Sequence, residues 1–220
     1  MTADTATYCL HQVLAQPREW AQIGQSAARI RTILGQKGGE LYGAWRSQIG
    51  RPRDEVTLMT RWPQEPAPSL ESCELALRAA LPAVRKLTSF RMSAALRPVD
   101  ATPPTRQGNY AFRFFDLPTV HRDEFLVLCA AAWPGFEAAY DSQVIGLWDM
   151  DCAQEGRAQA LLLTRRPDLA MWERSKLPQG SAEAQVRDTL SRRYDLCDDT
   201  EVYTTTLLTA TDQVDQARWT

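Results

Sequence analysis

Histidine is the side chain best suited to proton transfer at neutral pH, and the chain carries only two of them. His11 lies in Tyr8 to Ala15, where alternation of the side chains predicts a β-strand. If its face of the strand lines a ligand site, His11 would serve as a proton acceptor or as an axial haem ligand. The alternative is a polar side chain that forms hydrogen bonds at a strand edge. His121 lies in a predicted helix start beside Arg122 and is expected at the surface.

Arg113 occupies the place in the second half of the chain that His11 occupies in the first half. The histidine titrates, whereas the arginine keeps its charge at all ordinary pH values. That pair suits an acid/base group that faces an anion stabiliser. We therefore take His11 and Arg113 as the candidate catalytic residues.

Four further candidates come from a stretch that occurs twice. The first copy, Glu40 to Pro63, reads ELYGAWRSQIGRPRDEVTLMTRWP, and the second, Gln143 to Pro167, reads QVIGLWDMDCAQEGRAQALLLTRRP. The copies share two tryptophans and two arginines at matched positions, which are Trp45, Trp148, Arg61 and Arg165. The tryptophans are candidates for an aromatic wall, and the arginines for ligands of a carboxylate or an enolate oxygen. The alternatives are core tryptophans and arginines in surface ion pairs.

Each copy of this stretch predicts two strands joined by a polar turn, because aromatic and β-branched residues alternate on both sides of turn residues. Gly43 and Gly146 fall in the middle of the first strand of each copy. A glycine there marks a bulge or the close approach of a backbone or side chain. Packing against a neighbouring helix is the simplest such approach.

Several common reaction chemistries are excluded by the motifs. The sequence contains no nucleophile elbow, P-loop or dinucleotide glycine fingerprint, and its histidines and cysteines do not have metal-site spacing. The five cysteines are odd in number and form no C-x-x-C pair, so we expect reduced thiols. The sequence therefore predicts chemistry without a bound cofactor or metal.

Composition excludes several classes of partner. The formal net charge of -2 predicts no general attraction to nucleic acid or to anionic lipid. No apolar run approaches the length that spans a membrane, and the first residues lack the basic and apolar regions of a signal peptide. We therefore expect a cytoplasmic protein whose ligand, if it has one, is a small molecule.

The predicted elements fall into two halves with the same order. A strand, a helix, the repeated strand pair, a second helix and a final strand, Leu87 to Leu96, form the first half. A proline-rich stretch follows, and the order then begins again at Asn109. We expect the chain to divide into residues 1–98, a linker at 99–108, and residues 109–220 with a C-terminal tail. A break or kink is expected at Trp133-Pro134-Gly135 within the helix of the second half.

This order, β-α-β-β-α-β in each half, is that of the ferredoxin-like fold and predicts the α+β class. Helices on one face of each sheet leave the other face apolar and uncovered. Two such sheets bury these faces against each other and close a barrel, so we expect tandem ferredoxin-like repeats that form a barrel. We expect the halves to associate through their sheets and the chains to form dimers.

The segments GELYGAWRSQIGRPRDEVTLMTRWP and NYAFRFFDLPTVHRDEFLVLCAAAWPGFEAAYDSQVIGLW resemble the NIPSNAP family of dimeric α/β-barrel proteins. The resemblance rests on the G-x-W strand, the T-R-x-P strand end and the W-P-G-F-E helix end, and it covers nearly the whole chain. It implies a ferredoxin-like barrel and an oligomer. The wider superfamily includes cofactor-free monooxygenases, haem-dependent enzymes and degradative or stress proteins, so no single reaction follows.

Two functional hypotheses follow from the sequence. The first is an enzyme that oxidises or rearranges a small aromatic or polyketide-like molecule in an apolar barrel, as a cofactor-free monooxygenase does. In this hypothesis the ligand lies near the strand ends that carry Arg61 and Arg165. The second is a non-catalytic binding or assembly protein whose barrel is filled by side chains. A haem bound through His11 is the alternative to cofactor-free chemistry.

Overall fold

The fold was analysed in a computed structural model, which describes residues 2–81 and 83–212. Its α+β architecture contains eight strands and six α-helices within this described part of the chain. The strands are β1 (Thr7–Ala15), β2 (Glu40–Ile49), β3 (Glu55–Trp62), β4 (Val84–Arg97), β5 (Asn109–Pro118), β6 (Gln143–Met150), β7 (Arg157–Arg166) and β8 (Asp199–Leu207). The helices are α1 (Trp20–Gln25), α2 (Ala27–Gly35), α3 (Leu70–Ala80), α4 (Arg122–Ala139), α5 (Leu169–Arg174) and α6 (Ser181–Tyr194).

The chain forms two compact units. The amino-terminal unit contains Asp4–Ser93 and Ala101–Gln107 together with the end of β8 from Tyr203, and the carboxy-terminal unit contains Ala94–Asp100 and Gly108–Val202. Strands β4 and β8 therefore contribute residues to both units.

The amino-terminal unit has the strand order β4-β1-β3-β2-β8, and the pairs within it are antiparallel. Its apolar core lies between one face of these strands and helices α1 to α3. Cys9 and Val13 of β1 contact this core, together with Trp62, Ile30 and Leu77. The helices thus cover the face of β1 that carries the odd-numbered residues.

The carboxy-terminal unit has the strand order β4-β6-β7-β5-β8, and its β5-β7 and β6-β7 pairs are antiparallel. Helix α4 packs on one face of this sheet through Phe125, Cys129 and Trp133, which lie in one core cluster with Phe115 and Leu162. The apolar stripe of α6 is half-buried against the same cluster. Both units therefore place their helices on one face of the sheet, as the predicted β-α-β-β-α-β order requires.

Three predicted elements differ in detail. The first helical stretch is divided into α1 and α2 at Ser26, whose hydroxyl donates a 2.7 Å hydrogen bond to the carbonyl oxygen of Gln22. Helix α4 continues through Pro134 to Ala139, where a break or kink is predicted. The buried side chains of Trp133 and Phe136 hold the residues on both sides of the proline against the core. Strand β4 begins at Val84, before the predicted Leu87.

Gly43 and Gly146 accommodate the tryptophan two residues further along their own strands. A Cβ atom added to Gly43 would lie 2.3 Å from the Trp45 ring, and the same distance separates an added Gly146 Cβ from the Trp148 ring. The strand register also shifts at both glycines. The predicted bulge and the close approach of a side chain therefore occur together, and the approaching group is an indole ring, whereas packing on a helix is predicted.

The predicted C-terminal tail follows residue 209, and its part from residue 213 lies outside the described residues. Within the described residues, no helix has both the length and the apolar character required to cross a membrane.

Candidate functional site

His11 lies on the helix-covered face of β1 and is completely buried. Its Nδ1 is 2.8 Å from the Ser89 hydroxyl, and its Nε2 is 3.0 Å from the Thr60 hydroxyl. Burial lowers the pKa of His11 to about 3, so the ring is neutral at ordinary pH. Both ring nitrogens are in hydrogen bonds and the side chain has no exposed surface. His11 therefore links β1 to Ser89 of β4 and to Thr60 of β3.

Arg113 lies on the helix-covered face of β5, because Phe115 two residues further on belongs to the core beneath α4. The guanidinium is half-buried, and its Nη1 is 3.4 Å from the Thr200 hydroxyl, at the limit of a hydrogen bond. Burial lowers the pKa of Arg113, and the charges of Arg193 and Arg187 add to this effect. His11 and Arg113 therefore occupy matched strand positions under the helices of different units, whereas the catalytic hypothesis requires both to face a ligand inside a barrel.

Trp45 and Trp148 are fully buried, and neither belongs to the helix-covered core of its unit. Strand alternation places Trp45 on the same face as Gly43, which it covers, and Trp148 on the same face as Gly146. The two side chains thus have equivalent local packing, as the repeated G-x-W sequence predicts.

Arg61 forms ion pairs with carboxylates of its own unit. Its Nε is 2.7 Å from Asp4 Oδ2 and its Nη2 is 3.1 Å from Asp4 Oδ1, while Nη1 lies 3.1 Å from Glu40 Oε2. The Arg61 guanidinium holds the pKa of Asp4 at about 2. Arg165, its counterpart, is buried opposite Tyr110 on β5. Of the two predictions for Arg61, a ligand-binding role or an ion pair, the structure therefore contains the ion pair.

A different group of residues surrounds a pocket inside the carboxy-terminal unit. The pocket lies between helices α4 to α6 and strands β5 to β7, and its cavity volume is about 50 Å³. Four aromatic side chains contribute to its wall, namely Trp133, Phe136, Trp172 and Tyr194. Trp133 and Phe136 are buried, whereas Trp172 and Tyr194 are half-buried and form the outer edge.

Five basic residues also line this pocket. They come from different elements and are Arg113 of β5, Arg166 of β7, Lys176 after α5, and Arg187 and Arg193 of α6. The lining contains no aspartate or glutamate. Within the described part of the chain, no carboxylate forms an ion pair with any of the five.

Two of these bases are almost completely buried. Arg166 is 7% exposed and Arg193 is 3% exposed. Arg166 donates a 3.1 Å hydrogen bond from Nη1 to the Thr164 hydroxyl, and Arg193 packs against aromatic rings, with its guanidinium carbon 4.8 Å from the Phe115 ring centre. The Nε groups of both arginines and the indole Nε1 groups of Trp133 and Trp172 find no acceptor among the described residues.

The charges in the pocket shift one another's proton affinities. Burial lowers the pKa of Arg166 to about 10, and the neighbouring charge of Arg113 adds to that shift. Burial also lowers the pKa of Lys176 to about 8, with further lowering by Arg113, Arg166, Arg187 and Arg193. A cluster of desolvated cations without carboxylates favours an anion in its midst.

The predicted haem alternative, with His11 as the axial ligand, does not fit the surroundings of His11. Both nitrogens of His11 are occupied by hydroxyl groups inside a closed core, so the ring cannot reach an iron atom. His121 is half-buried in the turn that precedes α4, outside the pocket lining. Among the described residues, no cluster of three or more histidine, cysteine or acidic side chains is placed to hold a metal ion.

Sequence reasoning selected Arg113 from this pocket and missed the residues around it. The double arginine at the end of β7 carried the missed signal, because strand alternation turns Arg166 away from the face of Arg165. Trp172 lies in α5 and Lys176 lies two residues after its end, so the two are four residues apart. Their ring and ammonium group are 4.7 Å apart, a cation–π contact that this spacing makes accessible.

No protein-family model and no curated protein sequence matches the chain. Solved structures do resemble it. A candidate monooxygenase from Lactobacillus acidophilus NCFM has 7% sequence identity and a TM-score of 0.58, with 93% of this chain and 94% of that chain covered. An anthrone oxidase-like protein has 15% identity and a TM-score of 0.56, with coverages of 93% and 92%. A chlorite dismutase variant from Candidatus Nitrospira defluvii has 10% identity and a TM-score of 0.56, with coverages of 93% and 92%.

These structures are of the dimeric α/β-barrel type, so the likeness confirms the predicted kind of fold. At such low identities, the likeness concerns the fold alone. The placement in the NIPSNAP family is not shown and stays a prediction.

Proposed function

We propose that the carboxy-terminal unit binds a small molecule with an aromatic or other flat apolar body. The observation that carries this proposal is a cavity beneath the helices with four aromatic side chains in its wall. Concave sites with apolar walls and a few polar groups are typical ligand sites. Aromatic rings add stacking and edge contacts that favour a ring-shaped ligand.

The experiment is a thermal-shift screen of small aromatic compounds, with mass spectrometry of molecules released from the purified protein. We expect at least one aromatic compound to raise the melting temperature. The Trp172→Ala variant, which removes part of the half-buried wall, should lose most of this shift. Leu177→Ala is the matched control, because Leu177 lies just after α5, which carries Trp172, but is 65% exposed and does not line the pocket. The proposal fails if no compound binds, or if Trp172→Ala binds as well as the control.

A second candidate function is oxidation of such a molecule by oxygen without a bound cofactor. The observation that favours it is Lys176, an amine whose pKa is lowered to about 8 within a group of arginines. In this scheme the amine accepts a proton from an activated methylene group, and the arginines stabilise the resulting enolate. Overall, a CH₂ group and O₂ give a carbonyl group and water.

Oxygen consumption distinguishes this enzyme from a non-catalytic binding protein. With an anthrone-type substrate, an oxidase should consume one O₂ per ketone formed, and Lys176→Met should abolish consumption without loss of the folded state. A binding protein should retain the compound unchanged. Ligand retention without oxygen uptake would therefore leave the binding proposal and end the oxidase proposal.

The finer features of the predicted organisation belong to the same proposal. We propose tandem ferredoxin-like repeats over residues 1–98 and 109–220, joined by residues 99–108, in a NIPSNAP-like cytoplasmic protein that forms homodimers. The support is the identical strand order of the two units, β4-β1-β3-β2 and β8-β5-β7-β6, together with the repeated G-x-W hairpin. His11, Arg61, Trp45, Trp148 and Arg165 remain candidates only for a ligand site other than this pocket.

A further inference from the structure

The basic residues of the pocket carry an inference about the chemical class of its ligand. The side chains of Arg113, Arg166, Lys176, Arg187 and Arg193 converge on one cavity from two strands, one helix and one loop. Like charges in a desolvated site repel one another, and burial of each charge is itself unfavourable. A protein retains such an arrangement at the expense of its stability, which is typical of sites that bind a ligand of the opposite charge.

Three carboxylates of the unit, Glu183, Glu137 and Asp116, have partners outside the pocket lining. Glu183 accepts a 2.7 Å hydrogen bond from Arg174, and Glu137 accepts one of the same length from Arg97. Asp116 is paired with Arg157. These three carboxylates therefore pair with arginines outside the pocket, and within the described residues none of the arginines that line the pocket has an ion-pair partner.

The shape of the cavity limits the anion. Its accessible space of about 50 Å³ corresponds to only a few water molecules, since one water molecule needs roughly 10–15 Å³ of such space. A planar carboxylate is small enough for this space, and its two oxygens match the parallel N–H groups of a guanidinium. The half-buried rings of Trp172 and Tyr194 at the outer edge then suit a flat body attached to it.

We propose that the ligand is an aromatic or similarly flat carboxylic acid, whose carboxylate is bound by Arg166 and Arg193. The inference rests on the proposed small-molecule site and specifies its ligand class. The carboxylate accepts hydrogen bonds from the buried Nε groups of the two arginines, and Lys176 and Arg187 supply further positive charge at the edge of the pocket. An acceptor-only group of this kind also complements the indole N–H groups of Trp133 and Trp172.

The test compares acids with neutral amides of nearly the same shape. Benzoate, 1-naphthoate and indole-3-carboxylate are titrated calorimetrically into the full-length protein beside their primary amides, with inorganic phosphate as a separate ligand. We expect at least one acid to bind about tenfold or more tightly than its amide, because a charge-assisted hydrogen bond is stronger than a neutral one.

Two variants locate the carboxylate. Arg166→Met and Arg193→Met keep most of the side-chain volume and remove the buried charge, so each should weaken binding of the acid about tenfold or more while changing amide binding little. Arg192→Met is the matched control, because Arg192 precedes Arg193 on α6 but is exposed and does not line the pocket. The control should bind like the unchanged protein.

Thermal unfolding without ligand separates binding from structural support. Arg166→Met should raise the melting temperature of the ligand-free protein, since it removes a buried cation that lacks an ion pair. If Arg166 instead stabilises the fold, Arg166→Met should lower the melting temperature of the ligand-free protein. If a methionine variant does not fold, Lys176→Met at the half-buried edge provides the same comparison of acid with amide.

Each outcome is decisive. The inference is supported if the protein binds acids more tightly than amides and both arginine variants lose this preference. Amides that bind as tightly as acids would overturn the anion inference and leave the small-molecule site intact, whereas failure of every acid and amide would overturn both. If phosphate binds more tightly than every carboxylate, the site binds a phosphate and the assignment to a carboxylic acid is overturned.

Discussion

At the scale of single residues, Lys176 is a pocket side chain whose charge changes near neutral pH. Its ammonium group lies over Trp172 and faces Arg113 of β5, Arg166 of β7, and Arg187 and Arg193 of α6. With a pKa of about 8, the lysine is largely protonated at pH 7 and neutral at pH 9. The pocket therefore contains more positive charge at pH 7 than at pH 9.

Affinity for an aromatic carboxylate should fall as the pH rises above 8. The sign follows because the anion binds the protonated amine more tightly, so deprotonation opposes binding. Calorimetric titrations at pH 7, 8 and 9 measure the effect. Lys176→Arg should keep its affinity at pH 9, since an arginine remains charged there. Equal pH dependence in both proteins would contradict the assignment to Lys176.

His11 should make stability decrease under mildly acidic conditions. Its pKa in the folded state is about 3, below the unfolded value near 6.5, so the unfolded chain binds more protons between these limits. This contribution is present above pH 6.5 and is lost as the pH falls toward 3. The slope approaches roughly 1.4 kcal/mol per pH unit in that window.

Urea unfolding of the unchanged protein and of His11→Gln, at several values from pH 7.5 to pH 4.5, measures this contribution. The facing groups are the uncharged hydroxyls of Ser89 and Thr60, so the difference between the two curves isolates the histidine. The difference should shrink as the pH falls. Parallel curves for His11→Gln and the unchanged protein would contradict a buried neutral ring.

At the scale of elements, the repeated hairpin is built around contact between a glycine and a tryptophan. The absence of a Cβ atom lets the indole ring of Trp45 lie over Gly43, and that of Trp148 over Gly146. The rings are fully buried, so they have little freedom to move away. This local packing explains why a tryptophan follows the glycine by two positions in both copies.

Gly43→Ala and Gly146→Ala should each lower the free energy of unfolding by about 1–3 kcal/mol, the usual effect of overpacking. The added methyl group would lie 2.3 Å from a ring that is enclosed on its other sides. Gly35→Ala is the control, because nothing lies within 4 Å of an added Cβ at the end of α2. Denaturant unfolding of the three variants measures these effects, and equal stability for all of them would refute the steric explanation.

At the scale of the whole molecule, the low-identity structural matches cover more than nine-tenths of the chain. Such coverage concerns the fold, and the association of chains remains our proposal. Two large apolar side chains of the α4 region, Val120 and Val127, are 81% and 66% exposed. Exposed apolar residues in one region are common where chains associate.

Light scattering on the purified protein should give the mass of a dimer at micromolar concentration. Val127→Glu, on the exposed side of α4, should shift the equilibrium toward the monomer if this helix contributes to the contact. Val99→Glu, a similar change at a less exposed valine between β4 and β5, is the control. A monomer mass for the unchanged protein would end the dimer proposal without affecting the pocket.

The sequence by itself determined the elements and their order. Period-two alternation predicts the strands. Ser69 is of a residue type typical of helix N-caps, and its hydroxyl accepts a hydrogen bond from Ser72 N at the start of α3. These features are local, because a strand or a cap depends on residues within a few positions. The predicted break of α4 at Pro134 is wrong, since the helix continues to Ala139 and burial of Trp133 and Phe136 holds both sides of the proline against the sheet, whereas the predicted kink stays a prediction.

Only the tertiary structure decided which face of each strand the helices cover and which charges meet. Alternation places His11 and Tyr8 on opposite faces of β1 but does not say which face packs on helices, because both faces are apolar in this fold. The pocket bases are separated by up to 80 positions, from Arg113 to Arg193, and no local rule brings them together. Their convergence depends on the packing of α4 to α6 on the sheet, which is decided by the burial of many side chains at once.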